Sequence, residues 1–376
     1  MSTTVSAINP VALSKRLDRA AAAAASAGVA ALLMAPGSDL RYLLGAGGSS
    51  FERLTCFVVP ADGSPTLVVP KLEAPGYDPV PLSDLGVQVA TWVDGEDPYG
   101  LVAALVGNPA KVAVGDVMVA MHVLGLRAAL PDAEQVLAGP IVRELRMRKD
   151  AEEIAELRAA GAAIDRVHAR MGEFLQVGRT ESEVGADIEA AIVAEGHAVA
   201  EFVIVGSGPN GASPHHRVSD RVIEAGDVVV IDIGGPVPSG YCSDSTRTYV
   251  MGEPRDTDVL KTYAVLQEAQ QAAVDAVRPG IPAQDIDAAA RDVIASAGFG
   301  EYFIHRTGHG IGLTTHEPPY MVEGETRRMA PGMCFSIEPG VYLPGRFGVR
   351  IEDIVTVTES AGRRLNNTSH ELYVVA

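Results

Sequence analysis

The sequence is poor in cysteine and in positive charge. Its three cysteines, Cys56, Cys242 and Cys334, are widely spaced and lie in apolar runs. This pattern predicts reduced, buried thiols in a cytoplasmic protein and no disulfide framework. Lysine and arginine total 30 against 48 aspartates and glutamates, so the formal net charge is -18. Nucleic acid and anionic membrane surfaces bind cationic patches, and the charge balance therefore argues against both as partners.

The sequence also lacks an apolar run that is long and pure enough to span a bilayer. Basic residues, Lys15, Arg16 and Arg19, precede an alanine-rich run, as they do in a signal peptide. However, Asp18 lies among them, and the run continues into strand-like residues. We therefore expect a first helix of the mature protein, followed by a strand.

The apolar residues are numerous enough to form the packed cores of two domains. The chain has 376 residues, of which 47% are hydrophobic, and a typical domain is less than half as long. Residues 1–142 alternate short apolar runs with helical patterns, which predicts an α/β domain. Its strands are predicted at 30–34, 55–60, 66–70, 87–92 and 111–114, the second and third forming a hairpin. A charged stretch begins the second domain, 143–376. Asp150 and Glu153 have the form of a capping box, which fits the start of a new helix.

The segment 228–248 predicts a β-hairpin that carries two aspartates. A run rich in β-branched residues reaches Asp232, a loop of glycine and proline follows, and a second strand-like run carries Asp244. Because the aspartates are symmetric about Pro238, antiparallel pairing would place them nearly opposite on one face. Directly opposed like charges destabilise a sheet, and a buried carboxylate needs a partner. A cation between the aspartates would remove both objections.

A weak internal repeat predicts a second pair of acids in the same arrangement. The segments 178–196 and 280–298 share a pattern at an offset of 102 residues, and each predicts a helix that ends at a glycine. Acidic residues correspond further along the chain, Asp232 with Glu338 and Asp244 with Glu352. The two glutamates are symmetric about Gly345. The sequence thus predicts two helix-helix-sheet halves, related by a pseudo-twofold axis, that bring four carboxylates together.

Four carboxylates in one pocket cannot all stay ionised unless cations hold them. Two divalent ions would balance the four charges, and His309, which lies in the sequence GHGIG, is the natural nitrogen ligand. A mostly oxygen donor set with one imidazole favours Mn²⁺, and also admits Co²⁺, Fe²⁺ and Zn²⁺. Two ions can share a bridging water, lower its pKa and polarise a carbonyl. This arrangement predicts hydrolysis without a covalent enzyme intermediate.

Several motifs in the chain resemble those of one enzyme family. IDIGG with GYCSD, HRTGHGIGLTTHEPP, SIEPGVY and GVRIEDIV are similar to motifs of the pita-bread metallopeptidases, which include prolidase, aminopeptidase P and methionine aminopeptidase. Through DLRYLLG and SSFERLT, residues 1–142 resemble the creatinase-type α/β domain of prolidase and aminopeptidase P. Methionine aminopeptidases lack that domain. The resemblance implies an α+β protein in which residues 143–376 form a pita-bread catalytic domain with a pseudo-twofold repeat.

The resemblance also implies the ligands of two divalent metal ions per subunit. Asp232 would chelate one metal alone, whereas Asp244 and Glu352 would bridge both ions. His309 and Glu338 would complete the other metal. Glu338 would in addition relay the proton from the bridging water to the leaving nitrogen.

Four further residues around the metals are implied by the same resemblance. His316 would bind the scissile carbonyl oxygen or the leaving group, and His215 would lie on the opposite wall. His305 would be a third active-site histidine, and Arg350 would orient the site. His216, beside His215, is not expected to take part.

The spacing of the two aspartates departs from the family pattern. The family usually separates them by eleven positions, whereas Asp232 and Asp244 are twelve apart. The additional residue falls between Gly234 and Gly240. We therefore expect a bulge or a longer turn there that leaves both carboxylates in place.

The resemblance implies a dinuclear metal-dependent exopeptidase that cleaves the bond before proline through a metal-bridging hydroxide. The compact length and the HRTGHGIGL motif favour an Xaa-Pro dipeptidase that acts on small peptides in the cytoplasm. The alternative is an aminopeptidase P that acts on longer Xaa-Pro peptides. A non-catalytic peptide-binding scaffold is disfavoured because all five ligand positions are present. The resemblance further implies a homodimer. A side activity on phosphotriesters is a third possibility, because the same hydroxide can attack phosphorus.

Overall fold

The computed structural model describes residues 9–48 and 52–375, so the first three residues of the SSFERLT motif lie outside the described residues. The chain divides into two units, Met1–Arg146 and Met147–Ala376. The boundary predicted between residues 142 and 143 falls within a helix, Gly139–Met147, that ends at this division. Within the described ranges, no helix has both the length and the apolar character that crossing a membrane requires.

The first unit is built on one six-stranded mixed sheet, in the order β4-β3-β2-β1-β5-β6. Its elements are α1 (Pro10–Ser26), β1 (Ala31–Met34), α2 (Ser38–Leu44), β2 (Cys56–Pro60), β3 (Thr66–Pro70), β4 (Gln88–Trp92), α3 (Pro98–Val106), β5 (Lys111–Val114), α4 (Ala120–Ala129), β6 (Glu134–Leu137) and α5 (Gly139–Met147). The five predicted strands are confirmed to within one residue, and β2 and β3 form the predicted hairpin. The edge strand β6 is not predicted, because its four residues are short of apolar side chains.

The second unit contains two halves, each with helices packed on strands. Its elements are α6 (Ala151–Ala169), α7 (Met171–Phe174), α8 (Glu181–Ala194), β7 (Phe202–Ser207), β8 (Val228–Pro236), β9 (Cys242–Met251), α9 (Val259–Ala276), α10 (Ala283–Ser296), β10 (Gly308–Gly310), β11 (Glu317–Met321), β12 (Cys334–Ile337), β13 (Gly340–Leu343), β14 (Phe347–Arg350), β15 (Asp353–Val357), β16 (Gly362–Arg364) and β17 (Tyr373–Val375). Each half has its own apolar core, one between α6, α8 and β7–β9, the other between α9, α10 and β12–β15.

Local sequence signals explain where the helices of the second unit begin and end. Asp150 and Glu153 form the predicted capping box at the start of α6, with both hydrogen bonds at 2.9 Å. The predicted repeat helices are α8 and α10. The chain leaves each of them through a glycine in the left-handed region, Gly196 (φ 113°) and Gly298 (φ 88°). All three cysteines of the chain are free and buried, as predicted.

The first half carries its aspartates on one continuous hairpin, β8–β9. Nine consecutive residue pairs keep a single register, in which Asp232 pairs with Thr246 and Gly234 pairs with Asp244. The register therefore differs by two residues from the symmetry about Pro238 that predicted the aspartates nearly opposite each other. The five-residue turn, 237–241, is centred on Ser239 rather than on Pro238. The aspartates are diagonal neighbours on one face, and the longer turn accommodates the additional residue without a bulge.

The second half carries its glutamates on an interrupted hairpin. Strand β12 pairs with β15 and β13 pairs with β14, and both ladders are symmetric about Gly345, as predicted. Glu338 and Glu352 occupy the gap between the two ladders. This gap leaves both glutamates outside regular strand pairing while the ladders on either side fix their positions.

Candidate metal centre

The five predicted metal ligands lie together at the centre of the second unit. Their donor atoms form overlapping groups, each with all its atoms within 4.8 Å of one another. The groups are Asp232 with Asp244 and Glu352, His309 with Glu338 and Glu352, and Asp244 with His309 and His316. A cavity of about 1110 Å³ is lined by all five residues and also by the four predicted outer residues, His215, His305, His316 and Arg350.

The carboxylate oxygens of this cluster fit a cation site. Glu352 Oε2 accepts a hydrogen bond from Thr246 Oγ1 (2.8 Å), and Asp232 Oδ2 accepts one from Arg350 Nη2 (2.8 Å). The second oxygen of each carboxylate is buried and has no hydrogen-bond partner among the described residues. A buried, unpartnered anionic oxygen is costly. A metal ion is the partner that would satisfy both oxygens.

Mutual repulsion in the cluster is visible in the pKa values of its acids. Burial, followed by the charge of Glu352, raises the pKa of Asp244 well above its ordinary value. Burial and the charge of Glu338 raise the pKa of Glu352 well above its ordinary value. Without cations, therefore, these acids resist ionisation together. Divalent ions would remove that resistance.

His309 is oriented as a metal ligand by its own backbone. Its Nδ1 lies 3.1 Å from the carbonyl oxygen of Gly310 and can donate to it, while Nε2 faces the carboxylates. Nε2 lies 3.1 Å from Glu338 Oε1 and 3.5 Å from Asp244 Oδ2. Burial opposes ionisation of Glu338, but the contact with His309 outweighs it and lowers the pKa of Glu338 to about 2.

The glycines beside His309 are required by close backbone approach. A Cβ atom at Gly308 would collide with the carbonyl of Ser336 on β12. A Cβ atom at Gly310 would collide with the carbonyl of Pro318 on β11. Strand β10 is thus pressed between β11 and β12, and this position holds the imidazole of His309 against the carboxylates.

Arg350 connects the metal ligands to the surrounding wall. It is buried, and besides Asp232 it donates to Thr246 Oγ1 (3.1 Å) and to the hydroxyl of Tyr342 (2.7 Å). The same hydroxyl is 2.8 Å from His305 Nε2. Tyr342 therefore joins Arg350 to His305, a role that was not predicted. The only signal in the sequence is its position on the strand that follows Glu338.

The histidines of the cavity differ in their surroundings. The ring of His316 is tilted by 51° against that of His309, with the ring centroids 3.9 Å apart. Desolvation together with His309 lowers the pKa of His316 to about 4. Burial likewise lowers the pKa of His305. His215 is exposed on the cavity wall. Its neighbour His216 instead binds Glu181 Oε2 (2.7 Å) and does not line the cavity.

Comparison with known proteins gives a match to a known family for each unit. Residues 155–359 match metallopeptidase family M24, and residues 16–148 match the creatinase/prolidase N-terminal domain. The probable dipeptidase PepE of Mycobacterium tuberculosis is 58% identical over 362 residues, 96% of each chain. An Xaa-Pro dipeptidase of Lactobacillus helveticus is 35% identical over 345 residues, 89% of this chain and 92% of its own.

Solved structures agree with the sequence comparison. The crystal structure of dipeptidase PepE from Mycobacterium ulcerans matches with a TM-score of 0.93 at 57% identity, covering 98% of this chain and 99% of the other. The expected pairing of a creatinase-type domain with a pita-bread domain is thereby confirmed. The chain belongs to metallopeptidase family M24 and is a metallo-exopeptidase.

Proposed function

We propose that this protein is an Xaa-Pro dipeptidase that uses two divalent metal ions. The observation that carries the proposal is the cluster of four carboxylates and one imidazole in which two buried oxygens have no partner among the described residues. The cavity around this cluster is large enough for a dipeptide. Two relatives, a probable dipeptidase and an Xaa-Pro dipeptidase, support the substrate class.

Each ligand has a proposed place in the metal centre. Asp232 would hold one ion, His309 and Glu338 would hold the other, and Asp244 and Glu352 would serve both. The oxygen-rich set favours Mn²⁺. When bound, the two ions would polarise the scissile carbonyl and lower the pKa of a water molecule so that it attacks at neutral pH.

The remaining residues orient the substrate and move protons. Glu338 lies in the cavity beside His309 and is the residue that would take a proton from water and return it to the leaving nitrogen. His316 is uncharged at neutral pH and can donate a hydrogen bond to the carbonyl oxygen. Arg350 fixes the carboxylate of Asp232, while His215 and His305 shape the two walls.

A substrate panel tests this proposal. The protein is stripped with a chelator, reloaded with Mn²⁺, Co²⁺, Fe²⁺ or Zn²⁺, and assayed on Xaa-Pro dipeptides and on matched Xaa-Pro-Yaa tripeptides. We expect about two ions per chain by elemental analysis and hydrolysis of the dipeptides at least roughly tenfold faster. Equal turnover of both lengths would favour the aminopeptidase P alternative. Failure to bind metal under every loading condition would overturn the mechanism.

The quaternary structure and the compartment are part of the same proposal. We infer a cytoplasmic homodimer, as the family resemblance implies. Sedimentation of the metal-loaded protein at micromolar concentration should give the mass of a dimer. A monomer alone at that concentration would contradict it.

A further inference from the structure

Two arginines line the cavity within the described residues, and they differ in what they already bind. Arg350 is buried, and its three side-chain nitrogens donate to four acceptors, on Thr246, Tyr342, Asp232 and Pro214. Its charge is paired with Asp232 at 2.8 Å. Arg350 is therefore committed to holding the metal ligands and has little capacity left for a substrate.

Arg306 is the arginine with free capacity. Its guanidinium lies over the ring of Tyr320, 4.4 Å from the centroid, and is only partly buried. Across the described residues it makes no side-chain hydrogen bond and no ion pair. Stacking on an aromatic ring fixes the guanidinium plane while the N–H groups along its edge remain available.

The position of Arg306 relative to the metal centre follows from strand register. Tyr320 on β11 pairs with His309 on β10, and paired residues in an antiparallel ladder project from the same face. The ring that supports Arg306 thus lies on the same side of the sheet as the imidazole of His309. Arg306 itself precedes His309 by three residues.

We propose that Arg306 binds the C-terminal carboxylate of the dipeptide and so limits substrates to two residues. This inference rests on the proposed dipeptidase function. A free carboxylate entering a cavity lined by five acids needs a permanent cation, and a planar guanidinium can bind it through two parallel hydrogen bonds. In a longer peptide the same position would hold a neutral amide, which gains no charge pairing. Arg306 is accordingly a specificity residue.

A cycle of two substrates and three proteins tests the proposal. The value of kcat/KM is measured for an Xaa-Pro dipeptide and for its C-terminal amide, with wild type, Arg306→Gln and Arg306→Lys, all loaded with Mn²⁺. Wild type should prefer the free acid by about 10- to 100-fold, mainly through KM. Arg306→Gln should reduce this preference to about threefold or less while hydrolysis of the amide changes little. Arg306→Lys should have an intermediate preference for the free acid, since lysine keeps the positive charge but cannot form the two parallel hydrogen bonds of a guanidinium.

The matched control is Lys261→Gln, because Lys261 also lies over an aromatic ring, Phe299 (5.6 Å), but is exposed and does not line the cavity. It should keep the wild-type preference. Equal losses on acid and amide in Arg306→Gln would overturn the proposal, as would a wild type that cleaves both substrates equally. A wild type that cleaves neither substrate would overturn the dipeptidase function itself, and this inference with it.

Discussion

The two halves of the second unit present the same kind of acids on hairpins of different construction. In the first half, β8 and β9 form one unbroken ladder, and the strand alternation alone places Asp232 and Asp244 on one face. In the second half, the ladder is interrupted where Glu338 and Glu352 occur. The continuous ladder carries aspartates, which have short side chains, and the interrupted ladder carries glutamates in its gap, which have longer ones. The halves thus achieve one geometry by different combinations of backbone and side-chain length.

The halves also anchor their cavity loops differently. In the first half, Glu181 at the start of α8 is fully buried and accepts hydrogen bonds from the segment that bears His215; the donors are on Ser207, Asn210, His216 and Ser219. In the second half, Asp287 on α10 accepts from the amide and hydroxyl of Thr307, between His305 and His309. One acid therefore fixes a cavity wall, and the other fixes a loop that carries a proposed metal ligand.

The largest expected effect comes from exchanging side-chain lengths between the halves. In Asp244→Glu and in Glu352→Asp the charge is unchanged, but the carboxylate moves by about 1.5 Å, the length of one C–C bond. Because a displacement of about 1 Å can cost roughly 100-fold in rate, each variant should lose at least about that much in kcat/KM for Xaa-Pro dipeptides. The measurement is steady-state kinetics with a saturating metal concentration.

Exposed acids provide the controls for that exchange. Glu359→Asp and Asp292→Glu make the same changes at exposed positions of the second half and should leave activity within about twofold. If Glu352→Asp were as active as wild type, the length of the side chain would not matter at the interrupted ladder. The comparison between the two hairpins would then fail.

Local patterns explain why the ligands could be predicted and parts of the geometry could not. Asp232 and Asp244 lie within strands, and Glu338 and Glu352 lie directly beside strands. All these strands have clear β propensity, so the neighbourhood of the four acids could be inferred from short stretches. The register of β8–β9 could not, because it depends on a turn of five residues that closes through Val237 and Tyr241 (2.9 Å). A one-residue difference in turn length moves the centre of symmetry.

Residues that act through tertiary contacts left no local signal. Tyr342 joins Arg350 to His305 across strands, and Arg306 acquires its place from the ring of Tyr320. Glu181 and Asp287 resemble ordinary helix acids in the sequence. Their roles depend on loops that reach them from 20 or more residues away.

A smaller effect should separate the two loop anchors. Glu181→Gln replaces an acceptor of several hydrogen bonds by a group that also donates, and should lower kcat/KM by about tenfold while metal affinity stays within about twofold. Asp287→Asn should instead weaken metal binding by about tenfold, because Thr307 is two residues before His309. Isothermal titration with Mn²⁺ and kinetics at saturating metal distinguish the two outcomes.

Each anchor has a matched control on its own helix. Glu189→Gln on α8 and Asp292→Asn on α10 remove exposed charges and should alter neither quantity. The same loss of metal affinity in both anchor variants would mean that the two loops are not independent. Glu181 and Asp287 would then not have separate effects on the cavity wall and on the loop of His309.

The smallest expected effect is on the stability of the metal-free protein. It is the difference between wild type and Asp244→Asn. Burial and Glu352 raise the pKa of Asp244 well above its ordinary value, so the folded, metal-free chain binds this proton more tightly than the unfolded chain does. The contribution of this group to stability is complete below that ordinary pKa and is lost as the pH rises through the folded pKa. Asp244→Asn removes the buried charge and should increase the free energy of unfolding at neutral pH by about 1 kcal/mol, or roughly 2–4 °C in Tm.

Thermal unfolding in the presence of chelator, followed from pH 4 to pH 8 for both proteins, measures this difference. The gap between variant and wild type should widen as the pH rises and should reverse when Mn²⁺ is added, because only the wild type keeps the complete ligand set. A gap that does not depend on pH would show that Asp244 is not in conflict with its neighbours. A stability cost that is removed only by metal is the expected signature of carboxylates placed for binding rather than for folding, and the raised pKa of Glu352 predicts that the second half shares it.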